Sequence, residues 1–231
     1  MIEDKLIKKA AWAYYHFIKK NNISSVELDF EKHFAFSWEM FNYYATFNYN
    51  PIKNSPLKDE CLYLCWHFPE YPLLLKSISK NEALILVADD NEGLLNIVDK
   101  GKIYNFRDNQ FSSRLVHSFK KKIPIICMFD YCYSASKYIY SDFLGYPSKT
   151  PYGIIKLARL YNYQLNLVVD VDIDIDVDKT HVTQMNIPNS DSLQATIDFI
   201  NKKIETKILE IPSRWLLWPS IDNRWQNVNY E

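Results

Sequence analysis

The distribution of apolar residues predicts that strands alternate with helices from residue 60 onward. Four apolar runs have the length of buried strands, at residues 61–66, 83–88, 123–129 and 164–177. Four other segments have apolar residues at helical spacing, at residues 70–79, 109–120, 150–161 and 191–209. Because strands that alternate with helices form parallel sheets, we predict an α/β fold in which a mainly parallel sheet is flanked by helices on both faces.

The first 59 residues have a helical pattern without strands. Apolar residues recur at helical spacing between Ile2 and Ile18, and the pattern stops at Asn21 and Asn22. Residues 31–48 form a second, aromatic-rich helical segment. We predict that residues 1–59 are an N-terminal helical segment packed on the core, and that residues 60–231 form the α/β part of a single domain. A first helix that lies on a membrane surface is the alternative.

Charge and composition narrow the classes of function. The net charge of -1 gives no overall basic field, so we expect no nucleic-acid partner. The four glycines form no phosphate-binding loop, and we predict no nucleotide cofactor. No signal peptide and no apolar run of roughly 18 residues are seen, so we expect a cytoplasmic protein, with a peripheral position on the inner membrane as the alternative.

Polar residues that follow the predicted strands are candidates for chemistry. His67 follows the first strand, and Asp89, Asp90 and Asp130 follow two others, so these side chains are expected at one edge of the sheet. Histidine can take a proton from a hydroxyl or amine near neutral pH, and a neighbouring carboxylate can orient its ring. Glu70, three residues later, is predicted to supply that carboxylate. The alternative is that His67 only caps the end of its strand.

The cysteines give a weaker signal. Cys61, Cys65, Cys127 and Cys132 lie in or beside apolar runs without C-x-x-C spacing, so we expect free buried thiols. Cys65 lies two residues before His67, and a thiolate–imidazole pair is a further alternative.

A row of aspartates alternates with Val and Ile at the end of the fourth predicted strand. The row consists of Asp170, Asp172, Asp174, Asp176 and Asp178. Alternation places all five carboxylates on one face, which we expect to be the solvated face of an edge strand. A cation site is the alternative, but a straight strand does not wrap an ion, and we predict no metal.

Several motifs resemble a known family. In the lysophospholipid acyltransferase superfamily, which includes the bacterial lipid A biosynthesis acyltransferases, an apolar strand leads into a histidine. The segment HFPEYP, which begins at His67 after the first predicted strand, resembles this motif. The segment SFKKKIPIICMFD, which ends at Asp130, is similar to a helix, strand and strand-end aspartate of that family. DFLGYPSKTPYGIIKLAR, from Asp142 to Arg159, resembles the family pattern F-F-G-x-P-A-x-T-x-x-G-x-x-x-L-A-R. IPSRWLLWPSIDNRW resembles its closing tryptophan-rich segment, and the likeness spans roughly residues 60–225.

The resemblance implies transfer of a fatty acyl group from an acyl carrier protein or coenzyme A thioester to a hydroxyl or amine. His67 would be the general base, and the acyl thioester is a co-substrate, so no cofactor is expected. Arg114 and Asp130 would assist it, while Gly145 and Thr150 would belong to the loop on the acceptor side. The implied partners are the acyl carrier protein or acyl-CoA, a lipid or amphipathic acceptor, and a membrane surface.

The chain departs from the family at the partner of the histidine. Pro72 stands where the family has the carboxylate of its H-x4-[DE] motif, and Glu70 is the predicted substitute. The alternative function is therefore a degenerate, non-catalytic acyltransferase fold that binds an acyl chain or a carrier protein.

Overall fold

The computed structural model describes residues 2–24, 26–46, 57–78, 83–87, 103–105, 108–131, 137–174, 179–228 and 230.

The parallel sheet forms because buried apolar runs lie side by side. Six strands form the main sheet: β1 (Cys61–Cys65), β2 (Leu84–Val87), β3 (Ile103–Asn105), β4 (Ile125–Met128), β7 (Gln164–Asp174) and β8 (Lys179–Asn186). Their spatial order is β3-β2-β4-β1-β7-β8, and every pair is parallel except β7 with β8. The predicted α/β class with a mainly parallel sheet is confirmed.

Helices surround this sheet and lie close to their predicted positions. They are α1 (Asp4–Lys20), α2 (Phe30–Thr46), α3 (Tyr71–Ile78), α4 (Phe111–Lys120), α5 (Gly153–Leu160) and α6 (Leu193–Glu210). In α1, Asp4 in the first turn and the lysines of the last turn suit the helix dipole. The Ser192 hydroxyl caps α6 by accepting a hydrogen bond from the Ala195 amide at 3.2 Å.

A hairpin stands apart from the main sheet. Strands β5 (Tyr138–Phe143) and β6 (Tyr146–Pro151) pair antiparallel, in a region predicted as loop and as the start of a helix. Leu144 and Gly145 make the turn, both at positive φ. Residues 150 and 151 thus belong to a strand, and the helix begins only at Gly153.

The aspartate row occupies a different position from the one expected. β8 pairs along β7 from Asn166 to Asp174, so the aspartate-bearing strand is second from the edge of the sheet. The edge prediction was wrong because the segment 179–186 folds back as a further strand. Asp176 and Asp178 lie outside the described residues.

One hydrophobic core includes both ends of the chain. Tyr14 and Phe17 of α1 and Phe30 of α2 pack with Trp218, which lies in a 3-10 helix (Trp218–Asn223) near the C-terminus. The Glu27 carboxylate accepts hydrogen bonds from the amide and hydroxyl of Ser213 at 2.8 and 2.6 Å. The N-terminal helices therefore hold the C-terminal segment in place. None of the helices in the described part of the chain is both long and apolar enough to cross a membrane.

The turn at Gly145 gives a test of the fold. A Cβ atom at Gly145, where φ is 78°, would press against the side-chain amide of Asn21, which is itself held by the Phe17 carbonyl at 2.9 Å. We expect Gly145→Ala to destabilise the protein by about 1–3 kcal/mol and to lower the melting temperature by roughly 2–4 °C per kcal/mol.

Thermal unfolding followed by circular dichroism would measure the change. Gly153→Ala is the matched control, because a Cβ atom there has no neighbour within 4 Å and the residue begins a helix. Equal melting temperatures for the two variants would contradict this account of the turn.

Candidate functional site

The register of two neighbouring strands brings His67 and Asp130 together. β1 and β4 are parallel, with Cys65 opposite Met128. The Phe129 amide donates to the Cys65 carbonyl at 2.8 Å, which extends the pairing by one step. His67 and Asp130 lie equally far beyond the two strand ends, so both fall at the carboxyl edge of the sheet. This is the edge where open α/β sheets place their ligands.

His67 contacts both oxygens of the Asp130 carboxylate. The imidazole Nδ1 lies 2.7 Å from Oδ1, and the backbone amide of His67 donates to Oδ2 at 2.8 Å. The indole Nε1 of Trp215 also donates to Oδ2, at 2.8 Å. The Asp130 side chain is fully buried, whereas that of His67 is 18% exposed. In the dyad of Asp130 and His67, the carboxylate is therefore shielded from solvent and the imidazole is partly accessible to it.

The electrostatics of the site favour the ionised form of Asp130. Burial by itself raises the pKa of the Asp130 carboxyl, but the charge of His67 and the hydrogen bonds from His67 and Trp215 outweigh burial, so the net pKa lies below its ordinary value of 3.8. An ionised carboxylate only accepts hydrogen bonds, so Nδ1 of His67 carries the proton. In the neutral ring, Nε2 then has the lone pair that can accept a proton from a substrate.

A buried arginine supports Asp130 from the other side. The Arg224 guanidinium donates to the Asp130 carbonyl at 3.2 Å, to Asn201 Oδ1 at 2.8 Å and to Thr150 Oγ1 at 3.3 Å. It also lies 3.7 Å from the ring centre of Phe143. Arg224 is only 2% exposed, so its charge is held by oxygen atoms and a ring face rather than by bulk water. It links the dyad to the hairpin and to α6.

The carboxylate predicted to orient His67 is engaged elsewhere. Glu70 accepts a hydrogen bond from Arg214 at 2.7 Å, and Arg214 also lies 3.3 Å from Asp170. The attraction of a guanidinium ion for two carboxylates explains this arrangement. Asp130, which had been expected only as a helper, occupies the position that we had predicted for Glu70.

The other predicted site residues lie at different places. Arg114 is in α4 and forms an ion pair with Asp108 at 3.5 Å. Gly145 is in the hairpin turn and lines a cavity of about 630 Å³ with residues of α6. Thr150 is fully buried, and its hydroxyl accepts a hydrogen bond from Asn201 at 2.9 Å. Thr150 is connected to the dyad through Arg224, which bonds to both Thr150 and the Asp130 carbonyl. Asp89 and Asp90 lie outside the described residues.

Two thiols in the strands that lead to the dyad, Cys65 and Cys127, are poorly suited to nucleophilic chemistry. Burial raises the pKa of Cys127 to about 12 and that of Cys65 well above its ordinary value, and the Asp130 charge adds to both effects. A thiolate pair between Cys65 and His67 is therefore disfavoured. Cys132 lies outside the described residues.

Sequence reasoning missed the pairing of Asp130 with His67 and the residues that support this pair. The sequence pointed to both as strand-end residues, and their equal offset beyond the strand ends is a signal that pairs them once the two strands are known to be neighbours. Trp215, Asn201 and Arg224 gave no comparable signal, because their contacts with this region depend on how distant segments fold. Within the described ranges, no group of three or more His, Cys, Asp and Glu side chains is arranged to hold a metal ion.

Comparison with known proteins adds no family to this geometry. No protein-family model matches the chain, and no curated protein matches it significantly.

The protonation of Asp130 should be visible in acid unfolding. A carboxyl whose pKa is lowered by folding stabilises the protein above its unfolded pKa, and that stability is lost as the pH falls through the lower, folded pKa. We expect wild type to lose more stability than Asp130→Asn as the pH falls from about 5 through the folded pKa of Asp130, which lies below 3.8, as measured by urea unfolding.

The matched control is Asp191→Asn, which removes an exposed carboxylate. It should keep the pH dependence of wild type. An Asp130→Asn variant with the same acid dependence as wild type would mean that Asp130 is not an ionised partner of His67.

Proposed function

We propose that this protein is an acyltransferase that moves a fatty acyl group from a coenzyme A or acyl carrier protein thioester to a hydroxyl or amine. The buried dyad of Asp130 and His67 is the observation that carries the proposal. A histidine held by a buried carboxylate through Nδ1, with its ring partly exposed, has the arrangement of a general base. The sequence resemblance to the lysophospholipid acyltransferase superfamily supplies the class of reaction.

In the proposed reaction the acceptor's O–H or N–H group hydrogen bonds to Nε2 of His67. The acceptor atom attacks the thioester carbonyl carbon while Nε2 takes its proton. The tetrahedral intermediate then expels the thiolate as the C–S bond breaks, and the imidazolium returns the proton to sulfur. Asp130 keeps the ring oriented and stabilises the imidazolium through Nδ1.

Transfer without an acyl-enzyme intermediate fits the surroundings of the dyad. Cys65 and Cys127 are thiols of raised pKa, and Asp130 is turned away from solvent. The acceptor itself is therefore proposed as the nucleophile.

The non-catalytic alternative loses its main support. It rested on Pro72, which stands where the family has its carboxylate. Pro72 lies in the first turn of α3, where a residue without an amide proton is well tolerated. Asp130 supplies a carboxylate to His67 from another strand, so the proposed base does not lack its partner.

Thiol release from a panel of acyl-CoA and acyl carrier protein thioesters, with mixed amine and alcohol acceptors, tests the proposal. We expect acceptor-dependent release by wild type, and a fall of about 10²–10⁴-fold in kcat for both His67→Ala and Asp130→Asn. The first change removes the base, and the second removes the group that orients it.

His117→Ala is the matched control, because His117 is an exposed residue of α4 and should be dispensable. Undiminished turnover by His67→Ala would refute the assigned base. Saturable binding of acyl thioesters without any turnover would favour the non-catalytic alternative.

A further inference from the structure

Three tryptophans near the C-terminus have buried indole groups with different acceptors. Trp215, Trp218 and Trp225 are each at most 3% exposed. The Trp218 indole donates to the Pro212 carbonyl at 2.7 Å, and that of Trp225 donates to the Phe143 carbonyl at 3.0 Å. Trp215 donates instead to the Asp130 carboxylate, at 2.8 Å. Of these three indoles, that of Trp215 is the one bonded to the dyad.

The Trp215 hydrogen bond restricts the carboxylate to one orientation. Oδ2 accepts from the indole and from the His67 backbone, which leaves Oδ1 facing the imidazole Nδ1. The carboxylate cannot turn about its Cβ–Cγ bond without breaking both contacts on Oδ2. Because Asp130 is buried, bulk water does not replace a lost donor.

Packing in turn restricts the indole. Trp215 is fully buried, and its ring lies edge-on to Phe143 and Trp218, with centres 5.5 and 5.0 Å away. The next residue, Leu216, donates its amide to the His67 carbonyl at 3.0 Å. Two consecutive residues, Trp215 and Leu216, thus bond to the two members of the dyad. The indole N–H therefore has a fixed direction.

We propose that Trp215 is the positioning residue of the dyad: its indole N–H holds Oδ2 of Asp130 so that Oδ1 orients His67, and Nε2 faces the acceptor. Trp215 acts through Asp130 and touches no substrate. The proposal rests on the proposed function for its catalytic meaning, but the orientation of His67 can be measured in the resting protein.

Hydrogen exchange at the His67 ring is the direct test. We expect Trp215→Phe to speed exchange of the Nδ1 proton by about five- to tenfold, because the carboxylate that binds this proton loses a fixed donor. The measurement is ¹⁵N-histidine NMR, with the resonance assigned by its absence in His67→Gln. Trp218→Phe and Trp225→Phe are matched controls that remove equally buried indoles from the same segment, and their exchange should stay near that of wild type.

Kinetics provide the catalytic readout. In the thiol-release assay, Trp215→Phe should lower kcat about tenfold with little change in KM, because a misoriented base affects the chemical step more than substrate binding. Equal effects of all three tryptophan changes on exchange and on kcat would show a general loss of packing and overturn the proposal. Unchanged exchange in Trp215→Phe would overturn it as well.

If Trp215→Phe does not fold, the tryptophans themselves can report. In ¹⁵N-tryptophan spectra, His67→Gln should shift the indole resonance of Trp215 and leave those of Trp218 and Trp225 in place. Equal shifts of all three would overturn the proposal. Full thiol release by His67→Ala would overturn the proposed function, and the exchange rates would still decide whether Trp215 positions the ring.

Discussion

A carboxylate that is removed from water needs hydrogen-bond donors around it, and several distant segments of this chain supply donors to Asp130. An isolated buried charge is very costly, whereas one that is paired and fully hydrogen bonded is tolerated. Asp130 accepts three N–H groups on its carboxylate and a fourth on its carbonyl. The donors come from the end of β1 and from two parts of the C-terminal segment. Parallel pairing of β1 with β4 therefore creates the dyad, and distant segments complete it.

The C-terminal segment has little regular structure, yet hydrogen bonds to several distant segments hold it in place. It contains two short 3-10 helices, Pro212–Arg214 and Trp218–Asn223. Its indole and amide donors bond to the carbonyls of other segments, including those of His67 and Phe143. Glu27, from the N-terminal part of the chain, binds its first helical turn. The N-terminal helices thus contribute to the site indirectly, by holding the segment that holds Asp130.

The hairpin has a comparable supporting role. Thr150 and Asn201 share the Arg224 guanidinium, and the Ser141 hydroxyl donates to Asp198 at 2.6 Å. These contacts attach the hairpin to α6 on one side and to the dyad on the other. A separate two-stranded ribbon is marginal in water, and these polar contacts, together with the buried side chains of Phe143 and Leu144, stabilise the hairpin. Thr150, which was expected in an acceptor-side loop, thus lies where it supports Asp130 through Arg224.

Local pattern determined much of the fold. Apolar runs and helical spacing predicted four of the strands and the six α-helices of the described residues to within a few residues, because burial on a sheet or on one helix face leaves a periodic pattern in the sequence. The short strand β3, the hairpin and β8 were missed. β8 carries Lys, Thr, His and Gln between its apolar residues, so it lacks the long apolar run of a central strand. Residues 138–151 combine turn-forming residues with aromatic residues, a composition that is also typical of loops.

The site was predicted in part, and the division has a physical cause. The sequence by itself identified His67 and Asp130 as strand-end residues at one edge of a parallel sheet, since that follows from element order alone. It assigned the orienting carboxylate to Glu70, which is close in sequence, because local spacing is all that a single sequence reveals. Only the tertiary structure decided that β4 lies next to β1 and that Arg214 donates a hydrogen bond to Glu70. It also decided that Trp215, 85 residues from Asp130 in the sequence, donates a hydrogen bond to that carboxylate. Contacts between distant segments depend on packing of the whole chain, and they leave no periodic signal in either segment.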